Sequence, residues 1–397
     1  MPTRLTRYIL FEIIKVFAVA LFVLTILILL IGVGREFLRQ GLSPVAVVQL
    51  LPFFLPIAFQ HGVPATALFA VCVVYGRMAA DGEVATVKAS GVSPLRLLQP
   101  AFVFAALLSP LAVYISDLSA SWGKPGVERV VLLSIEDITY RVLRSDHSYS
   151  EDGFSIHVRD VIGDRMIQPT VTIHDRSGSG HTKISAQEGS LRLDEASQSL
   201  MLSVLNSQVT IGGKVESKNP GTLDFPIPLS DAFRNKDVSE QSPSDVPLRL
   251  ISSERISQDN RNHAAIGELA AHTGFSLLTS RDHEIAGSQG AAIEAKLASG
   301  KRRLTRLQTE PWRRWAEGFT CFCFVFVGAP LAMIARTSDY WSTFGLCFLP
   351  TLLTYYPLFM LGLKQAKNGV MPPYSVWIGN VLLVGIGTIL IARVRRY

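Results

Sequence analysis

The chain has 397 residues, a formal net charge of +6 at pH 7 and 48% hydrophobic residues. The hydrophobic residues are concentrated in long uncharged runs, which excludes an ordinary soluble domain. Arginine and lysine lie beside these runs, so the positive charge fits contact with anionic membrane lipids and not with nucleic acid.

Six apolar runs have the length of membrane spans, since about 20 apolar residues cross roughly 30 Å of hydrocarbon. The runs cover residues 16–34 and roughly 45–75, 97–115, 319–335, 344–363 and 374–392. We predict transmembrane helices 1–3 within residues 1–118 and transmembrane helices 4–6 within residues 311–397. In the second run, Pro52, Pro56 and Pro64 predict kinks or a break.

Positive charge predicts the orientation, because short cytoplasmic segments are enriched in lysine and arginine. With both termini inside, the short inner segments carry nine such residues and the short outer loops carry four. A basic cluster at 301–314 then lies outside, which a large translocated domain tolerates. We therefore predict cytoplasmic termini and an outer domain over residues 119–310.

The first part of this outer domain has the pattern of β-strands. Apolar and polar residues alternate at 156–159 and again at 200–204, with turn-rich segments between such stretches. Pro226 and Pro228 confine the last strand to a sheet edge. No cysteine lies in this domain, so its own core must hold it together. We predict a jelly-roll-like β-domain to about residue 230.

The second part of the outer domain has weaker signals. Residues 230–262 are polar with scattered proline and predict a loop or partly disordered linker. Helical signals return from Ala264, while Gly300 and Pro311 predict interruptions before the fourth span. The basic residues at 301–314 fit two interpretations, a helix lying on the outer leaflet or contacts with lipid phosphates.

A short polar stretch between the second and third spans predicts a separate helix over about 80–91. The residues that fall within about a 100° arc of this helix are Ala80, Glu83, Val84, Val87 and Gly91. Asp81 is a suitable N-cap, Gly91 suits the left-handed position after the helix, and Ser93-Pro94 predicts the start of the next helix. Either Glu83 complements the helix dipole and the ridge packs on the protein's own spans, or the helix docks into a soluble partner.

Four stretches carry a family resemblance: VPATALFAVCVVYGRMAADGEVATVKASGVSPLRLLQP, WRRWAEGF, FVGAPLAM and NGVMPPYSVWIGNVLL. They resemble the LptF/LptG family, the permease subunits of the lipopolysaccharide exporter. The resemblance implies an α-helical membrane protein with six transmembrane helices (3+3) and an inserted periplasmic all-β jelly-roll-like domain. Two departures are visible: residues 252–309 are longer and more polar than is usual in the family, and the fourth span begins AEGFTC in place of a Pro-Leu-Ala sequence.

The resemblance also implies partners and site residues. The acid of the family's coupling helix maps onto Glu83, where a cytoplasmic ATPase dimer would hold the helix. A second LptF/LptG-type permease, a periplasmic bridge of the LptC/LptA type and lipopolysaccharide or a related glycolipid would complete the system in the bacterial inner membrane. Arg35 and Arg39 end the first span and would be either interfacial anchors or contacts for lipid phosphates.

Enzymatic motifs are missing from the sequence. There is no G-x-x-x-x-G-K-[ST] stretch, so ATP would be used by the partner, and this chain would bind no cofactor. No H-E-x-x-H or G-x-S-x-G motif occurs, and we expect neither a metal site nor catalytic residues. The alternative function is a membrane-anchored receptor or scaffold whose outer β-domain binds a ligand or an envelope protein.

Overall fold

The computed structural model describes residues 3–40, 44–151, 154–174, 181–194, 199–211, 214–228, 241–279, 287–335 and 340–396. The helices are α1 (Thr3–Gln40), α2 (Pro44–Ala80), α3 (Glu83–Ala89), α4 (Pro94–Leu118), α5 (Lys124–Leu133), α6 (Ile135–Asp146), α7 (Leu248–Leu278), α8 (Ser288–Ala335), α9 (Tyr340–Lys367) and α10 (Ile378–Arg396). A π-helical turn, Ser119–Gly123, follows α4, and a 3-10 turn, Pro373–Trp377, precedes α10.

Nine strands lie between α6 and α7. They are β1 (Ser148–Glu151), β2 (Phe154–His157), β3 (Asp160–Ile162), β4 (Arg165–Ile167), β5 (Thr170–His174), β6 (His181–Ser185), β7 (Glu188–Asp194), β8 (Ser199–Ile211) and β9 (Lys214–Pro228).

Six helical segments are long and apolar enough to cross a membrane, and they contain α1, α2, α4, α8, α9 and α10. The predicted arrangement of three spans on each side of an inserted domain is therefore confirmed. Helix α2 passes through Pro52, Pro56 and Pro64 without interruption, so the predicted break is wrong. A proline removes one helical hydrogen bond, and neighbouring helices and turns compensate for that loss in membrane helices.

The chain forms two compact units. The span unit comprises Met1–Ile28, Leu55–Gly123 and Val238–Tyr397, and the inserted unit comprises Leu29–Phe54 and Lys124–Asp237. All six spans contribute apolar side chains to the core of the span unit. Helices α4 and α8 approach closely at Gly318, where a side chain would overlap Val113.

The inserted unit is built on one curled antiparallel sheet, which confirms the predicted inserted β-domain. Strand β8 organises this sheet, because it pairs with β7 over its first half, with β6 over its second half and with β9 along its other edge. The register shifts at Asn206, whose φ of 53° lies in the left-handed region. Two wings, β6-β5-β2-β1 and β7-β4-β3, therefore diverge from one long hairpin.

The two wings share one apolar core, as the alternating pattern predicts. Ile156 and Val171 come from one wing, Leu191 from the other, and Leu202 from β8, and all four are at most 1% exposed. Strand β9 pairs only with β8 among the described strands, so the proline-containing strand does lie at an edge.

Helix α6 is fastened to this sheet by Tyr140. Its hydroxyl accepts a hydrogen bond from the backbone N–H of Leu191 at 2.7 Å and donates one to the carbonyl oxygen of Asp164 at 2.8 Å. Burial raises the pKa of Tyr140, so the hydroxyl stays protonated and able to donate. A second small core joins α5 and α6 to the beginning of α2, through Val130, Ile138 and Leu50.

Helix α8 extends far beyond a single span. Its 48 residues measure about 72 Å at 1.5 Å per residue, against roughly 30 Å of hydrocarbon. Helix α7 packs antiparallel along the first part of α8. We call α7 together with residues 288–314 of α8 the stalk.

The stalk corrects two predictions from the sequence. Residues 248–262 belong to α7 and not to a linker, and α8 is continuous through Gly300 and Pro311. Residues 229–240 lie outside the described residues. Polar composition predicted a linker here, but these residues are polar because the contact surface between α7 and α8, the seam of the stalk, is itself polar.

Three polar side chains of α7, Glu254, Gln258 and Asn262, are only 6% exposed. Glu254 accepts from Arg261 at 2.6 Å, and Gln258 donates to Asn262 at 3.0 Å. Gly300 lets α7 and α8 approach at this seam, since a side chain there would overlap Asn262.

Replacing Tyr140 by phenylalanine should weaken the inserted unit. Tyr140→Phe leaves the buried N–H of Leu191 without its hydroxyl acceptor, which costs about 1–3 kcal/mol. The free energy of unfolding is measured by pulse proteolysis of the purified full chain in urea, with cleavage sites mapped to the inserted unit. Tyr114→Phe, at a residue that is 64% exposed, is the control and should unfold like the wild type. If the wild type, Tyr140→Phe and Tyr114→Phe resisted proteolysis equally in urea, this role of Tyr140 would be contradicted.

Candidate coupling helix and distal charge network

Helix α3 lies between two spans and is shorter than the sequence predicts. It begins at Glu83, because Ala80 still belongs to α2 and the chain turns at Asp81 and Gly82. Gly82, with a φ of 73°, occupies the N-cap position, so the assignment of Asp81 as the N-cap is wrong. A left-handed φ of this kind suits glycine, which has no Cβ, and this moves the helix start one residue along.

The other end of α3 agrees with the sequence. Gly91 has a φ of 78°, its N–H donates to the carbonyl of Lys88 at 2.9 Å, and the N–H of Val92 donates to the carbonyl of Val87 at 3.3 Å. This is the Schellman arrangement that satisfies the last carbonyls of a helix. Ser93 and Pro94 begin α4 as predicted.

The two faces of α3 have different environments. Val84 and Val87 are half-buried and pack against the core of the span unit. Thr86 is exposed on the other side of the helix, and Ser90, directly after the helix, is exposed as well. Glu83 lies one turn before Val87 and so borders the anchored face, but its side chain is exposed. Glu83 makes no hydrogen bond or ion pair with any residue in the described part of the chain. The structure thus separates the predicted ridge into two anchoring valines and one free carboxylate.

Both connections of α3 are fixed to the spans. The hydroxyl of Tyr75 in α2 donates to the carbonyl oxygen of Leu97 in α4 at 2.6 Å, so the two helices that flank α3 are tied together. The guanidinium of Arg77 forms a 3.1 Å ion pair with Glu12 of α1. A seven-residue helix is marginal in isolation, so these contacts and the two valines hold it in place.

At the opposite end of α4 lies a cluster of ion pairs, which we call the distal charge network. It contains three carboxylates and three cations, so its formal charges cancel. Its members are Asp117, Glu310, Arg313, Arg314, Glu317 and Lys367. They come from α4, α8 and α9, and all lie within the span unit.

Glu310 is the fully buried carboxylate of the network. Its side chain is 0% exposed. It forms ion pairs with Arg313 at 2.8 Å and Lys367 at 3.3 Å, and it accepts a hydrogen bond from the hydroxyl of Ser244 at 3.2 Å. A buried charge needs such partners, because an unpaired ion is strongly destabilised in a low dielectric.

Glu317 connects the network to the neighbouring spans. Arg313 donates to it at 2.7 Å, and the side chains of Gln60 in α2 and Ser116 in α4 lie 3.4 Å from its other oxygen. Gln60, a polar residue inside a predicted span, therefore belongs to this network. It makes α2 a further helix that meets at the distal end.

Aromatic side chains surround the distal charge network. Trp312 lies 6.4 Å from Tyr374, and Trp377 lies 5.4 Å from Phe319, between ring centroids. Trp312 and Tyr374 are 46% and 61% exposed. Tryptophan and tyrosine concentrate at membrane–water interfaces, so these rings indicate that the network lies at one.

The structure revises the interpretation of the basic cluster at 301–314. Arg303, Arg313 and Arg314 are held in ion pairs, and only Lys301, Arg302 and Arg306 are exposed. The cluster does not form a separate helix on a leaflet, since it is continuous with the span.

Sequence reasoning missed the distal charge network, although part of its signal was readable. In EPWRRWAE, Glu310 and Glu317 lie three and four residues from Arg313, a spacing that places opposite charges side by side on a helix. Asp117 and Lys367 are distant in sequence from these residues. They join the network only because α4 and α9 pack against α8.

The two arginines that end the first span stay predictions. Arg35 is exposed in the last part of α1, and the side chain of Arg39 lies outside what the structure describes. Among the described residues, no group of three His, Cys, Asp or Glu side chains could hold a metal ion.

Six spanning helices around an inserted β-domain, with a short anchored helix between the second and third spans, define a multi-pass membrane protein of the permease class. The family described as lipopolysaccharide export system permease LptF/LptG matches residues 7–393, so the chain belongs to this family. It is thus a membrane permease of lipopolysaccharide export. No curated protein matches the chain in sequence.

Removing the shared cation of the distal charge network should destabilise the span unit. Arg313→Met leaves Glu310 and Glu317 without their common partner, and breaking a buried ion pair costs about 3–5 kcal/mol. Thermal unfolding in detergent measures the loss. The control is Lys296→Met, which breaks an exposed pair with Glu268 and should cost at most about 1 kcal/mol. A loss no larger than that of the control would show that the network contributes little.

Proposed function

We propose that the chain is the permease subunit of an ATP-driven exporter, and that α3 is its coupling helix. The observation that carries this proposal is the division of α3 into an anchored face and a free carboxylate, Glu83. The free carboxylate is available to a cytoplasmic ATPase dimer. Val84 and Val87, which pack on the core beside this carboxylate, convert a push on α3 into a push on the spans.

The mechanism is a rigid-body displacement. Helix α3 is joined to α2 and α4 by short turns, and the Tyr75–Leu97 hydrogen bond keeps those two helices together. A closure of the ATPase dimer would therefore move α2 and α4 as one piece, because packed helices shift as units and do not deform continuously. ATP would be bound and hydrolysed by the partner, and this chain would bind no cofactor.

A second permease of the same family is the partner we propose within the membrane. In the most apolar stretch of α1, only 11% of the residues are buried within the chain. The corresponding buried fractions are 28% for α9 and 67% for α8. Faces this apolar require lipid or another protein. Two subunits facing each other through such helices would enclose a space for lipopolysaccharide or a related glycolipid.

The remaining assignments extend the same proposal. Arg35, exposed near the end of α1, and Arg39 would contact lipid phosphates, for which the guanidinium group is well suited. The β-domain would pass the glycolipid's acyl chains to a periplasmic bridge. The protein would lie in the bacterial inner membrane with both termini in the cytoplasm.

Thiol labelling tests this orientation. The four native cysteines are buried, so single cysteines introduced at exposed positions report their own side of the membrane. We expect Ser90→Cys on α3 to react with an impermeant maleimide only after the cells are permeabilised. Ser299→Cys on the stalk should react in intact spheroplasts. The reverse result would place α3 outside the cell and remove the proposed mechanism.

Reversing the charge of Glu83 tests the coupling. Glu83→Lys should weaken association with the ATPase by roughly tenfold, as expected when a charge-assisted hydrogen bond worth about 1.5–3 kcal/mol is lost. Export should fall with it. The measurements are ATPase co-purification and lipopolysaccharide transfer from proteoliposomes.

The control is Glu294→Lys, which reverses an exposed carboxylate on the stalk and should change neither quantity. Unchanged association and export in Glu83→Lys would exclude the coupling role of α3. If membranes yielded no stoichiometric nucleotide-binding subunit at all, the receptor or scaffold function would replace the proposal.

A further inference from the structure

The inserted unit interrupts the span unit in sequence, and two segments of the span unit that flank this insertion contact each other. The chain leaves the span unit after Gly123 and returns to it at Val238. The last turn of α4 precedes the outgoing connection, and residues 244–248 belong to the returning one. Two side chains, Asp117 of α4 and Arg314 of α8, join these segments.

Asp117 caps α7 from another helix. The N-cap residue of α7 is Pro247, which makes no side-chain capping bond. The carboxylate of Asp117 accepts the backbone N–H of Leu248 at 2.8 Å instead. The first N–H groups of a helix need acceptors and favour a negative charge, so this carboxylate satisfies both needs.

Arg314 completes the connection. Its side chain is 0% exposed, and its guanidinium pairs with Asp117 while donating to the carbonyl oxygens of Ser244 at 3.0 Å and Val246 at 2.7 Å. Asp117 and Arg314 thus hold the backbone of the returning segment to α4, while Arg303 donates to the carbonyl oxygen of Gln241 and the hydroxyl of Ser244 donates to Glu310. No other hydrogen bond or ion pair in the described residues joins α7 to α4.

We infer that Asp117 is a positioning residue that clamps the segment returning from the inserted unit onto α4, so that the stalk follows α4. The inference rests on the proposed function, because α3, at the other end of α4, supplies the displacement. Helix α4 is 25 residues long and runs from Pro94 beside α3 to Leu118 beside the clamp. A movement imposed at the coupling helix is thereby delivered to the beginning of α7.

The clamp can be removed without leaving a buried charge. The double variant Asp117→Ala/Arg314→Met eliminates both ions, and replacing a buried pair with apolar residues is often neutral for stability. Glu268→Gln, which breaks an exposed ion pair within the stalk and leaves Asp117 and Arg314 in place, is the control. Thermal unfolding of the double variant in detergent, compared with that of the wild type, separates loss of the clamp from failure to fold.

The experiment measures the distance between α4 and α7 in the assembled complex in nanodiscs. Spin labels are placed at Leu107→Cys on α4 and Ile256→Cys on α7, which are 73% and 65% exposed, while the native cysteines are buried. We expect one narrow distance distribution in the wild type and in Glu268→Gln, with and without a nucleotide analogue. The double variant should give a broad distribution.

Export of lipopolysaccharide per ATP hydrolysed is measured in addition to the distance. In proteoliposomes, lipopolysaccharide exported per ATP hydrolysed should fall about fivefold or more in the double variant, the lower end of measured coupling between linked sites. Glu268→Gln, which breaks an exposed ion pair within the stalk and leaves Asp117 intact, should behave like the wild type.

A narrow distribution in the double variant, or unchanged export per ATP, would overturn the inference. The distance distribution without the nucleotide analogue does not depend on closure of the ATPase, so the clamp can fail this measurement while the Glu83 result stands. Conversely, Glu83→Lys could leave association and export unchanged while the double variant broadens the distance distribution. That combination would reject the coupling proposal and leave the clamp in place.

Discussion

The structure depends on the cancellation of charge at the distal end of the spans. A guanidinium such as that of Arg314 can lie fully buried only because Asp117 and two backbone carbonyls surround it. Glu310 is buried under the same condition, with Arg313 and Lys367 as its partners. Because three carboxylates meet three cations, helices α4, α8 and α9 are held in one relative arrangement without a net buried charge.

This arrangement gives α4 two defined ends. At one end lies α3, whose half-buried valines pack against the core and whose Glu83 has no partner among the described residues. At the other end, Ser116 and Asp117 contact α8 and the beginning of α7. Close packing at Gly318 keeps α4 against α8 between these points. A helix fixed in this way would transmit displacement along its length, as the proposed coupling through α3 requires.

The stalk shows how a polar sequence can still form a fixed helical pair. Glu254, Gln258 and Asn262 are buried, but Glu254 accepts from Arg261 and Arg303, and Gln258 donates to Asn262. Buried polar groups are tolerated when their hydrogen bonds are made, and such a seam specifies one register more narrowly than an apolar one could. Residues 252–309 are longer and more polar than is usual in the family, and the structure assigns most of them to this pair of helices.

The sequence alone determined the six spans, the inserted β-domain, the end of α3 at Gly91 and the family, because hydrophobic length, alternation and glycine conformation are local properties. It also allowed the i,i+3 and i,i+4 charge spacing around Arg313 to be read. It could not determine that residues 248–262 are helical or that α8 continues through Pro311. Nor could it place Asp117 beside Arg314, which is 197 residues away. Those features follow from which polar groups find partners when distant segments pack, and only the tertiary structure supplies the partners.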